Sequence, residues 1–168
     1  ILNDVAALRK AKANVGYNYT LTGEVLVTGQ AGANPNYTFF EDKTAGIALD
    51  TRELAGYNIK VGDKIGNLKG KLIKEDSGLL LFKPVYLSIL SSDNAITAQP
   101  AELKSLVANT EAFEARLVSL KGVTFKQGND GEMLIADKEN ELALNISDNI
   151  TELPIAGATA DVEGFLSH

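Results

Sequence analysis

Leu68, Gly70 and Leu72 alternate with Lys69 and Lys71, and this two-residue period predicts a strand over residues 64–74. Glu75-Asp76-Ser77-Gly78 follows as a hairpin turn, and the apolar run after it predicts a returning strand over residues 79–89. Upstream, Leu21, Val25 and Val27 lie at even spacing around Gly23, which predicts a strand over residues 20–28 with a glycine where it can bend. Residues 29–36, rich in Gly, Asn and Ala and carrying Pro35, predict a loop. Tyr37 to Glu41 is a β-prone aromatic stretch, Asp42 to Gly46 a turn, and Ile47 to Asp50 a further strand. Val5 and Leu8 share one face of a short helix predicted over residues 3–13, with Asn3 as its N-cap.

The same pattern occurs a second time. Phe39-Phe40-Glu41-Asp42-Lys43 with Ile47-Ala48-Leu49 recurs 95 positions later as Leu134-Ile135-Ala136-Asp137-Lys138 with Leu142-Ala143-Leu144. Gly62 matches Gly157 at that offset, and Leu68, Gly70 and Leu72 match Val162, Gly164 and Leu166 after a one-residue deletion. Ordered matches at a near-constant offset are the mark of duplication. The second copy reads as a linker over residues 91–99, a helix over 100–107 opened by Pro100, and strands over 113–125, 133–137, 142–146 and 159–166. The expected fold is all-β: two tandem five-stranded barrels, residues 1–90 and 91–168, each preceded by a short helix. Five strands with a helical connector between the third and fourth, here residues 51–62, is the order of an OB barrel. In the second copy a fifth strand is due where the sequence stops, so the expectation is either a barrel completed by residues outside this sequence or a second unit with a missing or borrowed strand.

Charge and composition narrow the function. The net charge of −6 argues against strong non-specific binding to nucleic acid. No apolar run approaches a membrane span; the longest, Leu79 to Phe82, is strand-sized. Cysteine is absent, which excludes disulfides and thiolate metal sites. The chain opens on Ile1 and its single methionine is Met133, so it is expected not to be a complete translation product, with any signal or anchor segment already removed.

Gly23-Glu24-Val25, the run from Phe39 to Ile47, Val61-Gly62-Asp63-Lys64-Ile65 and Leu68-Lys69-Gly70 together resemble the OB-like domains of exported bacterial proteins. Such domains stand beside secreted nucleases and in surface lipoproteins of the Bacteroides group. The resemblance covers the first copy almost completely and implies an exported, periplasmic or cell-surface location. The second copy departs from it, with Glu141 in place of Gly46 and Gly157-Ala158-Thr159 in place of the Gly-Asp-Lys turn.

Candidate chemistry is sparse. The single histidine, His168, has no partner set around it, and no metal, cofactor or nucleophile motif is present, so no enzyme activity, metal or cofactor is expected. Asp42 and Asp137 end strands and are read as carboxylates bonding to turn amides. OB domains bind single strands by stacking bases on aromatic residues beside a basic groove. Tyr37, Phe39 and Phe40 supply the aromatic residues, and period two puts Tyr37 and Phe39 on one face with Phe40 on the other. Lys69 and Lys71 point outward from a lysine-rich segment. The expected ligand site is therefore Tyr37, Phe39, Phe40, Lys69 and Lys71, with single-stranded nucleic acid as the leading ligand. The alternative is an interaction or spacer module for a protein or glycan, in which the acidic second copy and its open edge serve a partner.

Overall fold

The structure, a computed structural model, describes residues 1–30, 37–54, 56–145 and 154–166. Residues 31–36 of the predicted 29–36 loop, whose first two residues instead end a strand, lie outside the described residues, as do the end of the predicted strand at Ile146, the acids Asp148 and Glu152, and His168.

A short helix, α1 (Val5–Arg9), precedes strands β1 (Tyr19–Leu21), β2 (Val25–Gln30), β3 (Tyr37–Glu41), β4 (Gly46–Asp50), β5 (Lys64–Lys74) and β6 (Leu80–Ser91). The helix is shorter than expected at both ends: Leu2 is bridged to Leu21 ahead of it, and it stops at Arg9 with Lys10 as its C-cap. Its cap is Asp4 rather than Asn3: the Asp4 carboxylate accepts from the Ala7 N–H at 2.8 Å. β1 and β2 are the two halves of one bent strand, both antiparallel to β5. The hairpin β3–β4 follows antiparallel to β2, and β6 pairs in parallel with β4 and antiparallel with β5. These pairings close a five-stranded barrel. Its interior holds Phe40, Ile47, Leu49, Ile65, Leu68, Leu72 and Phe82, all at 0% exposure. The period-two alternation of β5 sends Leu68 and Leu72 inward and Lys69 and Lys71 outward.

The second sheet contains β7 (Gln99–Pro100), β8 (Leu117–Gln127), β9 (Met133–Ala136), β10 (Glu141–Leu144) and β11 (Thr159–Phe165). Helices α2 (Leu103–Ala108) and α3 (Thr110–Phe113) precede β8. Pro100 does not open the helix; it pairs with Ser119 in the short parallel strand β7. Phe113 ends α3, and Ala115 at a left-handed φ of 60° turns the chain, so β8 starts later than its apolar pattern suggests. The order is β10-β9-β8-β11, and among the described residues this sheet is not closed. The expectation of two barrels therefore holds for the first sheet and stops short in the second. A separate apolar cluster, built on Leu103, Leu106, Leu120, Val123 and Phe125, lies under this open sheet. No helix among the described residues is long and apolar enough to cross a membrane.

Candidate ligand-binding face

β3 presents Tyr37, Phe39 and Glu41 outward from the barrel and Thr38 and Phe40 inward, as period two requires. Phe40 is fully buried in the barrel core. Phe39 points outward but is only 4% exposed, because the ring of Phe165 in β11 covers it. The two rings stack with centroids 4.1 Å apart and planes 9° from parallel. Ala48, Leu79, Leu81 and Ala115 complete an apolar cluster that joins the outer wall of the barrel to the second unit. Gly29 and Gly46 permit this approach. A Cβ on Gly29 would overlap the Phe165 ring, and one on Gly46 would overlap the carbonyl oxygen of Ala115.

Polar contacts frame the joint. The Arg9 guanidinium donates to Glu114 Oε1 at 3.0 Å and to the Gly46 carbonyl at 3.1 Å. Glu114 is nearly sealed from solvent, and Oε1 also accepts from the Leu80 N–H at 3.3 Å. On the other side, Glu41 Oε2 accepts from the Leu117 N–H at 3.3 Å and lies 3.8 Å from Arg116 Nε. Burial pushes the Glu41 carboxyl above its ordinary value, against the opposing pull of the Leu117 N–H and Arg116.

Tyr37 retains partial exposure, and its hydroxyl donates to Glu75 Oε2 at 3.3 Å. Burial and the neighbouring Glu75 charge raise its phenol above the ordinary value. Lys69 and Lys71 are exposed on β5, opposite Tyr86 and Lys83 of β6. β6 and β4 separate them from Tyr37 on one side and the bent β1–β2 strand on the other. The five expected site residues thus occupy a core, a covered joint, an acid-flanked edge and a separate lysine face. Tyr86, 53% exposed and paired with Lys69, is the aromatic that does sit beside the lysines. With Val85, Ile89 and Leu90 it forms an exposed apolar strip along β6. The apolar run of β6 hinted at this strip, but a run without alternation does not say which residues stay outside.

Asp42 and Asp137 are turn residues. Asp42 Oδ1 accepts from the Thr44 and Ala45 N–H groups at 2.7 and 3.0 Å, and Asp137 Oδ1 from Glu139 and Asn140 at 2.8 and 2.7 Å. Asp42 also reaches the helix, its Oδ2 accepting from the Val5 N–H at 2.8 Å. Burial raises the Asp42 carboxyl, but hydrogen bonds from Thr44, Val5 and Ala45 outweigh it and leave the group below its ordinary value. The Glu139 and Asn140 amides lower Asp137 likewise. In the second unit a groove of about 720 Å³ opens between Leu103 and Lys104 of α2 and the Asp137 turn.

Charge is divided unevenly. Residues 91–168 carry 13 acidic and 5 basic side chains, a net of −8, whereas residues 1–90 carry 9 and 11, a net of +2. No group of three or more His, Cys, Asp or Glu residues is placed to hold a metal ion among the described residues. No protein-family model matches this chain, and no curated protein sequence matches it closely enough to count as a relative.

Proposed function

We propose that this chain is a non-enzymatic adaptor of an exported or cell-surface protein. On this reading its OB-fold-like first barrel serves as scaffold and its second unit engages a protein partner. The strand order supports the OB-like assignment: a bent first strand, a hairpin, and a last strand parallel to the third and antiparallel to the fourth. One observation carries the preference for adaptor over nucleic-acid binder: Phe165 covers Phe39, so no base can stack on that ring, and the other outward aromatic of β3, Tyr37, stands against the carboxylate of Glu75. The location follows the resemblance to exported OB-like domains.

A second reading, single-stranded nucleic acid on the β5–β6 face, is favoured by Tyr86 standing exposed beside Lys69 and near Lys71. Fluorescence anisotropy of a labelled mixed-sequence single strand, at low and moderate salt, separates the two. The adaptor reading expects no saturable binding even at low salt. Saturable binding that falls steeply with salt and disappears in the Lys69→Ala/Lys71→Ala variant would install the nucleic-acid reading instead.

A further inference from the structure

Among the described residues the second sheet has two open edges, whereas the first closes into a barrel. Among the described residues, β10 pairs only with β9, and β11 only with β8 apart from the terminal bridge between Leu166 and Glu114. In the first barrel the corresponding gap, between β4 and β5, is filled by β6. That strand sends Phe82 and Leu87 into the core and turns Lys83 outward toward Glu53. Ile47, Leu49 and Leu68 are sealed within that closed barrel at 0% exposure. Their sequence counterparts Leu142, Leu144 and Val162 pack against the second core yet remain half-buried. Apolar side chains held at the mouth of an unpaired gap match the requirements of strand addition, in which main-chain bonds supply affinity and alternate side chains supply specificity.

We propose that the second unit takes up one extended strand of a partner protein between β10 and β11, parallel to β10 and antiparallel to β11. The proposal rests on the adaptor reading and names its partner. The two flanking strands give the incoming segment its chemistry. Its inward positions are apolar, to cover Leu142, Leu144 and Val162. Its outward positions carry lysine or arginine, because Glu163 is exposed beside the gap, Glu141 and Asp161 are exposed there while shared with Lys126 and Lys121, and the whole second half is strongly acidic. β6 itself shows the pattern, with Phe82 and Leu87 on one side and Lys83 on the other.

The test is amide hydrogen exchange of the whole 168-residue chain with and without a synthetic peptide copying Leu80–Ser91. Exchange in β10 and β11 is expected to slow by about tenfold or more at saturation, with β4 and β5 unchanged. A peptide carrying Phe82→Asp, or a protein carrying Leu144→Lys, should lose that protection. Protection confined to another surface, such as the β6 strip, overturns the gap as the docking site and leaves the adaptor reading standing. No protection anywhere also overturns the gap, and the adaptor reading is then decided by the oligonucleotide titration alone. A second protein carries residues 75–91 repeated after His168, so that the strand is tethered. Protection by the tethered strand together with none by the free peptide overturns a partner in trans and assigns the gap to a strand of the same polypeptide.

Discussion

The β3–β4 and β9–β10 hairpins carry the duplicated sequence, share an aspartate-bonded turn, and sit in different surroundings. In the first, Asp42 bonds both the turn and the helix, and Ile47 and Leu49 are sealed within a closed barrel. In the second, Asp137 bonds the turn, a groove lies between that turn and α2, and Leu142 and Leu144 stay half-buried. Local sequence therefore sets the turn, while burial is set by strands far away in the chain. The comparison also explains a sequence difference that looks like drift. Gly46 is pressed against the Ala115 backbone and accepts a hydrogen bond from Arg9, so a side chain has no room there. Its counterpart Glu141 is exposed and pairs with Lys126.

The comparison can be broken most sharply in the cores. Phe40→Ala should cost about 3–5 kcal/mol by urea denaturation, the range for a fully enclosed phenylalanine. Its counterpart Ile135→Ala should cost closer to ~2 kcal/mol, because isoleucine gives up less buried volume than phenylalanine and the open sheet beside it can relax. Equal losses would mean that closure of the first barrel adds nothing to its packing. Next comes the joint: Gly46→Ala should cost about 1–3 kcal/mol through overpacking, while Glu141→Ala should stay within ~0.5 kcal/mol. Comparable effects at the two positions would show that the joint tolerates a side chain.

The smallest effect is in pH dependence, and two adjacent carboxylates run in opposite directions. The folded Asp42 value lies below the ordinary aspartate value of about 3.9, so its stabilisation is complete above that value and is lost as pH falls through the folded one. The folded Glu41 value lies above the ordinary glutamate value of about 4.3, so stability declines as pH rises through the interval between the two. Urea midpoints measured from about pH 2 to about pH 6 should show Asp42→Asn flattening the acid loss and Glu41→Gln flattening the decline above it. A Glu41→Gln variant that tracks the parent across the range would place that carboxyl in ordinary solvent.

Most of the strands were legible because their signals are local. β5 spans the residues its alternation predicts, and β3 is bounded by an aromatic run and a turn-forming aspartate. Pro100 misled because its fixed φ suits an extended strand as well as a first helical turn. The site was less legible for a different reason. Alternation correctly separates Phe40 from Phe39 and Tyr37, but it cannot say that an outward residue is covered by Phe165, 126 positions later. Lys69 and Lys71 were visible as outward-facing, whereas their distance from Tyr37 around the barrel depends on the β4–β6 pairing. The clearest signal of the joint was Gly46 itself, a glycine in a strand whose duplicate needs none.

The covered stack of Phe39 and Phe165 bears on where this polypeptide can be cut. The sheets divide after Ser91, and the segment from residue 92 to 98 has no strand or helix, which makes it look like a natural place to separate two independent pieces. Severing it would lay bare Phe39, Ala48, Leu79 and Leu81 on one fragment and strip the buried Glu114 of Arg9 on the other. The boundary is covalent rather than energetic, so the two sheets are expected to behave as one object in expression, crystallisation and transplantation into other proteins.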